Sequence, residues 1–306
     1  MVNRTLLVAT VAAILAPFGA SPPAPAAEPP ARPKLFPVTI KAANGRVTIP
    51  RRPTRIVSLS PTATENLFAV GAGRQVIAVD ALSNYPKRAP RTKLSGFTPN
   101  AEAIADYRPD LVVLHSGGKI IQQLRQLRIR VIQLPAARNL THAYTEIVQI
   151  GRATGHPQAA KRLVGSMKAR IAAAVASARP TGSRLSVYHE LTTDYYSATS
   201  QTFIGAVYKL LGLRNIADGA DGSGSGYPKL AGEYIIAANP DLIVLANSKC
   251  CGQSHATVAA RPGWSTIKAV RTRRVVRADD DVASRWGPRI VGFVRLVATA
   301  LRNTAR

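Results

Sequence analysis

From Arg55 onward, short wholly apolar runs alternate with longer stretches of helical period. Arg55 to Leu59 is β-branched and apolar, Ser60-Pro61-Thr62 puts hydroxyls where a helix N-cap belongs, and Glu65 to Val70 reads as helix until Gly71 and Gly73 stop it. Gln75 to Val79, Leu111 to Leu114 and Val131 to Leu134 are predicted as further strands, with helices between them near Asn100 to Tyr107 and over Lys119 to Leu127. Strands that are apolar throughout need cover on both faces, so this half predicts a parallel sheet between helices.

After Asn139 the strand signal ceases until Leu185, and the interval is helical twice over, broken at Gly155-His156-Pro157. The second of these helices, Pro157 to about Ser177, is roughly 31 Å long at 1.5 Å per residue, enough to join two lobes. Alternation then resumes with a strand over Leu185 to Tyr188, helices over Phe203 to Leu211 and near Gly232 to Ala238, strands at Leu242 to Leu245 and Val275 to Val276, and a last helix from about Pro288. The halves share a local repeat: Glu102 to Leu114 (EAIADYRPDLVVL) and Glu233 to Leu245 (EYIIAANPDLIVL) match at seven of thirteen positions with a constant offset of 131. The expected fold is α/β, with two lobes of mostly parallel sheets flanked by helices and joined by one long α-helix. The expected boundaries are 1–26 for a signal peptide, 27–54 for a leader and N-terminal extension, 55–154 and 181–306 for the lobes, and 155–180 for the bridging helix.

The signal peptide is expected from Arg4, the apolar run Leu6 to Phe18 and the small residues ending at Ala24-Pro25-Ala26. It implies export to the periplasm or the outer face of the cell envelope; no later segment approaches 18 uncharged apolar residues, so contact with a membrane is expected to be peripheral. Cys250 and Cys251 are adjacent and the only cysteines, so they either pair with each other in an oxidising compartment or stay unpaired. The formal net charge of +25 favours anionic partners, but the basic residues are scattered and no nucleic-acid motif accompanies them, so no nucleic-acid partner is expected.

Parallel sheets bind ligands at the carboxyl ends of their strands. In the first half those ends supply Ser60, Thr62, Leu82, Tyr85, Phe97 and His115; in the second they supply His189, Tyr196, Tyr227, Val282, Arg285 and Trp286. Aromatics, imidazoles, an arginine and small hydroxyls together suit a large flat ligand with polar edges. No G-x-S-x-G, H-E-x-x-H or G-x-x-x-x-G-K is present, and the five histidines have no metal-site spacing. No catalytic residue, resident cofactor or bound metal is therefore expected, and the chain reads as a receptor rather than an enzyme.

Ser58 to Glu65 (SLSPTATE), Gly71 to Asp80, Asn84-Tyr85-Pro86, Phe203 to Asp218 (FIGAVYKLLGLRNIAD) and Ser284 to Val291 (SRWGPRIV), together with the repeat, resemble the periplasmic vitamin B12 and iron-siderophore binding proteins of ATP-driven (ABC) importers, over roughly residues 38–302. The resemblance implies a monomeric receptor that captures a corrinoid or ferric-siderophore ligand between its lobes and delivers it to the permease and ATPase subunits of the transporter. It also implies docking through one glutamate per lobe, here Glu102 and Glu233. Leu82, His115, His189 and Val282 stand where B12 receptors carry Trp or Phe; the two histidines fit a haem-binding version of the same receptor, with haem iron accepting an axial imidazole. A different alternative is an exported thiol-redox protein acting through Cys250 and Cys251.

Overall fold

All four residues of Ile56-Val57-Ser58-Leu59 are buried, and the one hydroxyl among them, Ser58, accepts from Thr64 Oγ1 at 2.9 Å. The structure, a computed structural model, describes Met1 and residues 35–178 and 185–302. By internal contacts the chain divides into Met1–Lys34 and Leu35–Arg306, and the architecture below is that of the second unit. The expected signal peptide beyond Met1, its cleavage site and the start of the leader lie outside the described residues.

The N-terminal extension contains an antiparallel hairpin that the sequence reading does not anticipate, β1 (Val38–Ala42) paired with β2 (Gly45–Ile49). Ile40 and Ile49 are buried, while Gly45 turns the chain at φ +103° with open space around it. Asn44 fixes the hairpin to the first lobe by donating to the Val131 carbonyl at 2.9 Å and accepting from the Gln133 N–H at 3.0 Å.

In the first lobe β3 (Ile56–Leu59), α1 (Pro61–Ala69), β4 (Val76–Val79), α2 (Ala101–Ala105), β5 (Leu111–Leu114), α3 (Lys119–Gln126) and β6 (Arg130–Gln133) build a parallel sheet of order β4-β3-β5-β6. Next come α4 (Leu140–Thr154), N-capped by Asn139 and closed by Gly155 at φ +79°, and the long helix α5 (Pro157–Ser177). The second lobe contains β7 (Ser186–Glu190), α6 (Phe203–Leu210), β8 (Arg214–Asn215), α7 (Gly232–Ala238), β9 (Leu242–Leu245), α8 (Ser248–Cys251), α9 (His255–Ala259), α10 (Lys268–Arg271), β10 (Val275–Arg277), α11 (Asp280–Ser284) and α12 (Ile290–Arg302). Its sheet is parallel and ordered β8-β7-β9-β10, the order of the first sheet read in the same direction.

The repeat is therefore structural: its copies are α2 with β5 and α7 with β9, at equivalent places in the two sheets. Its Pro-Asp step has a common task. Asp110 accepts from the N–H groups of Thr54 and Arg55 at 2.8 and 3.0 Å, and Asp241 accepts from the Ser186 N–H at 2.8 Å, so each aspartate ties down the chain entering the central strand of its sheet.

The long helix buries Ala160, Val164, Met167, Ile171 and Ala174, a stripe of helical period. That stripe belongs to one apolar core that also takes Ile147 and Ile150 of α4 and Phe293, Val294 and Val297 of α12. Full burial of one such side chain is worth about 1.5–3 kcal/mol, so the helix joins the lobes and is held along its length. Among the described residues, no helix is long and apolar enough to cross a membrane.

Candidate ligand-binding cleft

The carboxyl ends of both sheets open on one cleft of about 640 Å³, within the usual range for small-molecule sites. Ser60 directly follows β3, His115 β5, Leu191 β7 and Ala246 β9, and all four line it. His115 and Ala246 are the residues just past the two copies of the repeat, so the internal symmetry of the chain converges on this space.

On the first wall Ser60 has two roles: its hydroxyl caps α1 by accepting from the Ala63 N–H at 3.3 Å, and it borders the cleft with Thr62. Behind them Thr64 pairs with Ser83, and Asp80 accepts from the Leu82 N–H at 2.8 Å, which fixes the loop that presents Leu82. Burial pushes the Asp80 carboxyl up, against the pull of the Leu82 and Ser83 N–H groups and of Arg285. Gly96 has no room for a side chain, since a Cβ would stand 2.8 Å from the Leu59 carbonyl, and this close approach presents Phe97, 72% exposed, to the cleft. The Phe97 ring meets His115 edge-on at 6.4 Å. Burial lowers the His115 pKa, with Asp80 opposing, which favours a neutral imidazole whose lone pair can meet a ligand.

The second wall is held by ions. Asp279 caps α11 by accepting from the Val282 N–H at 3.1 Å, and Arg285 leaves the end of that helix with most of its donors already used. It donates to Asn84 at 2.8 Å, to the Leu82 carbonyl at 3.2 Å, to Glu65 at 3.2 Å and to Asp281 at 2.6 Å. Glu65, buried on α1, also receives two bonds from Arg289, at 3.0 and 2.6 Å. One carboxylate of the first lobe thus grips two guanidinium groups of the second, and a Cβ on Gly287 would come within 3.0 Å of it. Trp286 lines the cleft with its indole N–H donating to Glu146 of α4 at 2.8 Å. Burial raises the Glu146 carboxyl to about 7, although the indole bond favours its charged form.

Seven of the twelve expected ligand residues line this cleft: Ser60, Thr62, Leu82, Phe97, His115, Arg285 and Trp286. Tyr85 and Val282 instead border a separate recess of about 600 Å³, with Tyr85 covering the Arg289 guanidinium at 4.3 Å. Tyr196 and Tyr227 are exposed but are not among the cleft residues; Tyr196 carries Lys229 over its ring at 5.9 Å. His189 departs furthest from expectation. The strand β7 runs two residues beyond the predicted Tyr188, so His189 stays inside the sheet, 0% exposed, with its Nδ1 2.6 Å from the Tyr208 hydroxyl and its pKa lowered to about 3 by burial. Its neighbour Glu190 is equally buried and is held by Arg261 at 2.6 and 2.8 Å and by Asn247 at 2.9 Å. Cys250 and Cys251 are bonded to each other, with Cys250 on the cleft wall. Asp280 accepts from the Cys250 N–H at 2.8 Å, joining that turn to α11.

The sequence reading missed Glu65, Glu146 and Arg289. None of the three left a local signal: Arg285 and Arg289 lie between α11 and α12, outside either helix, and their shared partner Glu65 is 220 and 224 residues away.

The family described as periplasmic binding protein matches residues 56–282, which takes in both sheets and most of the cleft wall, ending before Ser284, Arg285 and Trp286. The chain belongs to that family. This periplasmic binding protein is 33% identical over 279 residues to an uncharacterized ABC transporter substrate-binding lipoprotein of Bacillus subtilis (strain 168), covering 88% of this chain and 86% of the relative. It is 32% identical over 311 residues to the cobalamin-binding protein of Halobacterium salinarum (strain ATCC 29341 / DSM 671 / R1), covering 98% and 84% of the two chains. Among solved structures, the periplasmic heme-binding protein RhuT of Roseiflexus sp. RS-1 in apo form superimposes with a TM-score of 0.70 at 26% identity, over 82% of this chain and 99% of that one.

Proposed function

We propose that this periplasmic binding protein is the exported solute receptor of an ABC importer, which captures a bulky metal chelate between its lobes and delivers it to the permease and ATPase subunits. The observation that carries the reading is the single cleft at the carboxyl ends of two sheets of the same order, with Phe97, His115 and Trp286 around it. Flat rings suit the face of a macrocycle or chelate, and the imidazole suits a metal with an open coordination position or an acidic edge. The relatives named for cobalamin, vitamin B12 and heme point to the same ligand class, with a corrinoid leading and ferric siderophore or haem as the other members. The protein acts by binding and release, without turnover.

Delivery falls to Glu102 and Glu233. Each stands in the first turn of an equivalent helix, is exposed, and makes no ion pair among the described residues. Two free carboxylates at symmetry-equivalent places on a strongly basic protein suit docking to cationic groups on a two-fold partner. Replacing both, Glu102→Ala with Glu233→Ala, is expected to leave stability within about 0.5 kcal/mol and ligand binding unchanged while abolishing uptake in cells that depend on this receptor. Uptake at the wild-type rate in that double variant would refute the docking role.

A further inference from the structure

The bridging helix α5 carries Lys161, Arg162, Lys168 and Arg170, the final helix α12 carries Arg295 and Arg302, and neither contains an Asp or Glu. The sequence at residues 179–184 and 303–306, following each helix, adds no Asp or Glu side chain. Where α5 and α12 lie side by side, small side chains such as Ala173, Ala174 and Thr299 leave a recess of about 440 Å³. Arg170, Arg295 and Arg302 surround it, and no carboxylate lines it among the described residues. Arg170 and Arg295 are exposed and make no ion pair among the described residues; Arg302 is steadied by a 3.0 Å bond to the Thr299 hydroxyl. Arg170 also borders the neighbouring recess that holds Arg88 and Arg289.

At the first lobe's α1, by contrast, Arg285 and Arg289 converge on the Glu65 carboxylate. Here no carboxylate stands among the described lining residues. Two like charges at 4 Å repel by about 1 kcal/mol even in water, and by more between packed helices, so an anion entering the recess is favoured by every guanidinium around it. The planar guanidinium fork matches a tetrahedral oxyanion with two oxygens presented at once. The recess shares no residue with the ligand cleft, so the two can be occupied independently.

We propose that the seam between α5 and α12 is a binding site for a phosphate-type oxyanion, carried either by a small soluble phosphate or by a lipid headgroup. Occupancy would neutralise the contact between the bridging helix and the last helix, and so hold the lobe junction more firmly.

The test uses the full-length protein in two arms. Thermal unfolding is followed with pyrophosphate against sodium chloride at matched ionic strength, and co-sedimentation is measured with phosphatidylglycerol against phosphatidylcholine vesicles. The expected result is a response in one arm that is about tenfold weaker in Arg170→Gln/Arg295→Gln and unchanged in Lys161→Gln/Arg162→Gln, which removes equal charge from the other end of α5. A response to pyrophosphate identifies a soluble phosphate, and a response to phosphatidylglycerol a headgroup. All four substituted side chains are exposed, and far-UV circular dichroism checks that each variant is folded. No response in either arm, or equal loss in both double variants, would overturn the proposal.

Discussion

His115 and His189 both lie at the carboxyl ends of strands, in sheets of the same order, yet they meet different surroundings. The strand β5 stops at Leu114, so His115 leaves the sheet and faces the cleft beside Phe97. The strand β7 continues to Glu190, and Tyr208 of α6 and Phe293 of α12 close over His189. The second lobe's share of the cleft therefore starts later, at Leu191 and Ala246, and its polar character comes from the ion-paired segment Asp280 to Arg285. Where a strand stops decides whether the same side chain faces the cleft or packs in a core.

That contrast yields graded expectations. The largest effect belongs to Arg261→Ala, which leaves the Glu190 carboxylate at 0% exposure without its cation while Asn247 still donates to it; removing one member of such a pair costs about 3–5 kcal/mol. In Arg285→Ala the carboxylate of Glu65 keeps Arg289, so the loss is expected near 1–2 kcal/mol. Urea midpoints of the two variants give the comparison, and equal losses would erase the distinction between a sealed pair and a shared one. Next, His189→Ala removes a packed ring and its bond to Tyr208 and is expected to cost about 2–4 kcal/mol, whereas His115→Ala stays within about 0.5 kcal/mol. The reverse order would show that the two environments have been misassigned.

A pH effect tests the support behind Trp286. The Glu146 carboxyl sits near 7 in the folded protein against an ordinary 4.5, so the fold binds its proton more tightly than the unfolded chain does. Its contribution is complete below pH 4.5 and is lost as pH rises through 7, a fall of roughly 2–3 kcal/mol. Urea titrations at pH 5 and pH 8 should show that fall in the wild type and a flatter profile in Glu146→Gln. Equal slopes would mean that this carboxyl is ionised throughout.

Much of this architecture is legible in the sequence because strands and repeat are local signals. Leu111 to Leu114 and Leu242 to Leu245 are apolar runs preceded by Pro-Asp, and both strands form with those limits. Ser60, Phe97 and His115 are readable as cleft residues because each directly follows a strand or a tight glycine. The hairpin β1–β2 is hidden by short, mixed strands whose pairing becomes favourable only on the first lobe. Glu65 with Arg285 and Arg289, and Glu146 with Trp286, join segments 140 to 224 residues apart, and no local pattern announces such partners. His189 is misread because propensity leaves the last two residues of a strand undefined, and those two residues decide its burial.

The central claim is that the cleft lined by Phe97, His115 and Trp286 receives a bulky metal chelate, and it is tested most directly by titrating the purified protein with cyanocobalamin, haemin and a ferric hydroxamate while following tryptophan fluorescence. Saturation by one of the three at a single site is predicted, with affinity reduced at least about tenfold in Phe97→Ala/His115→Ala. Absence of saturable binding to all three, or binding indifferent to that double substitution, would contradict it.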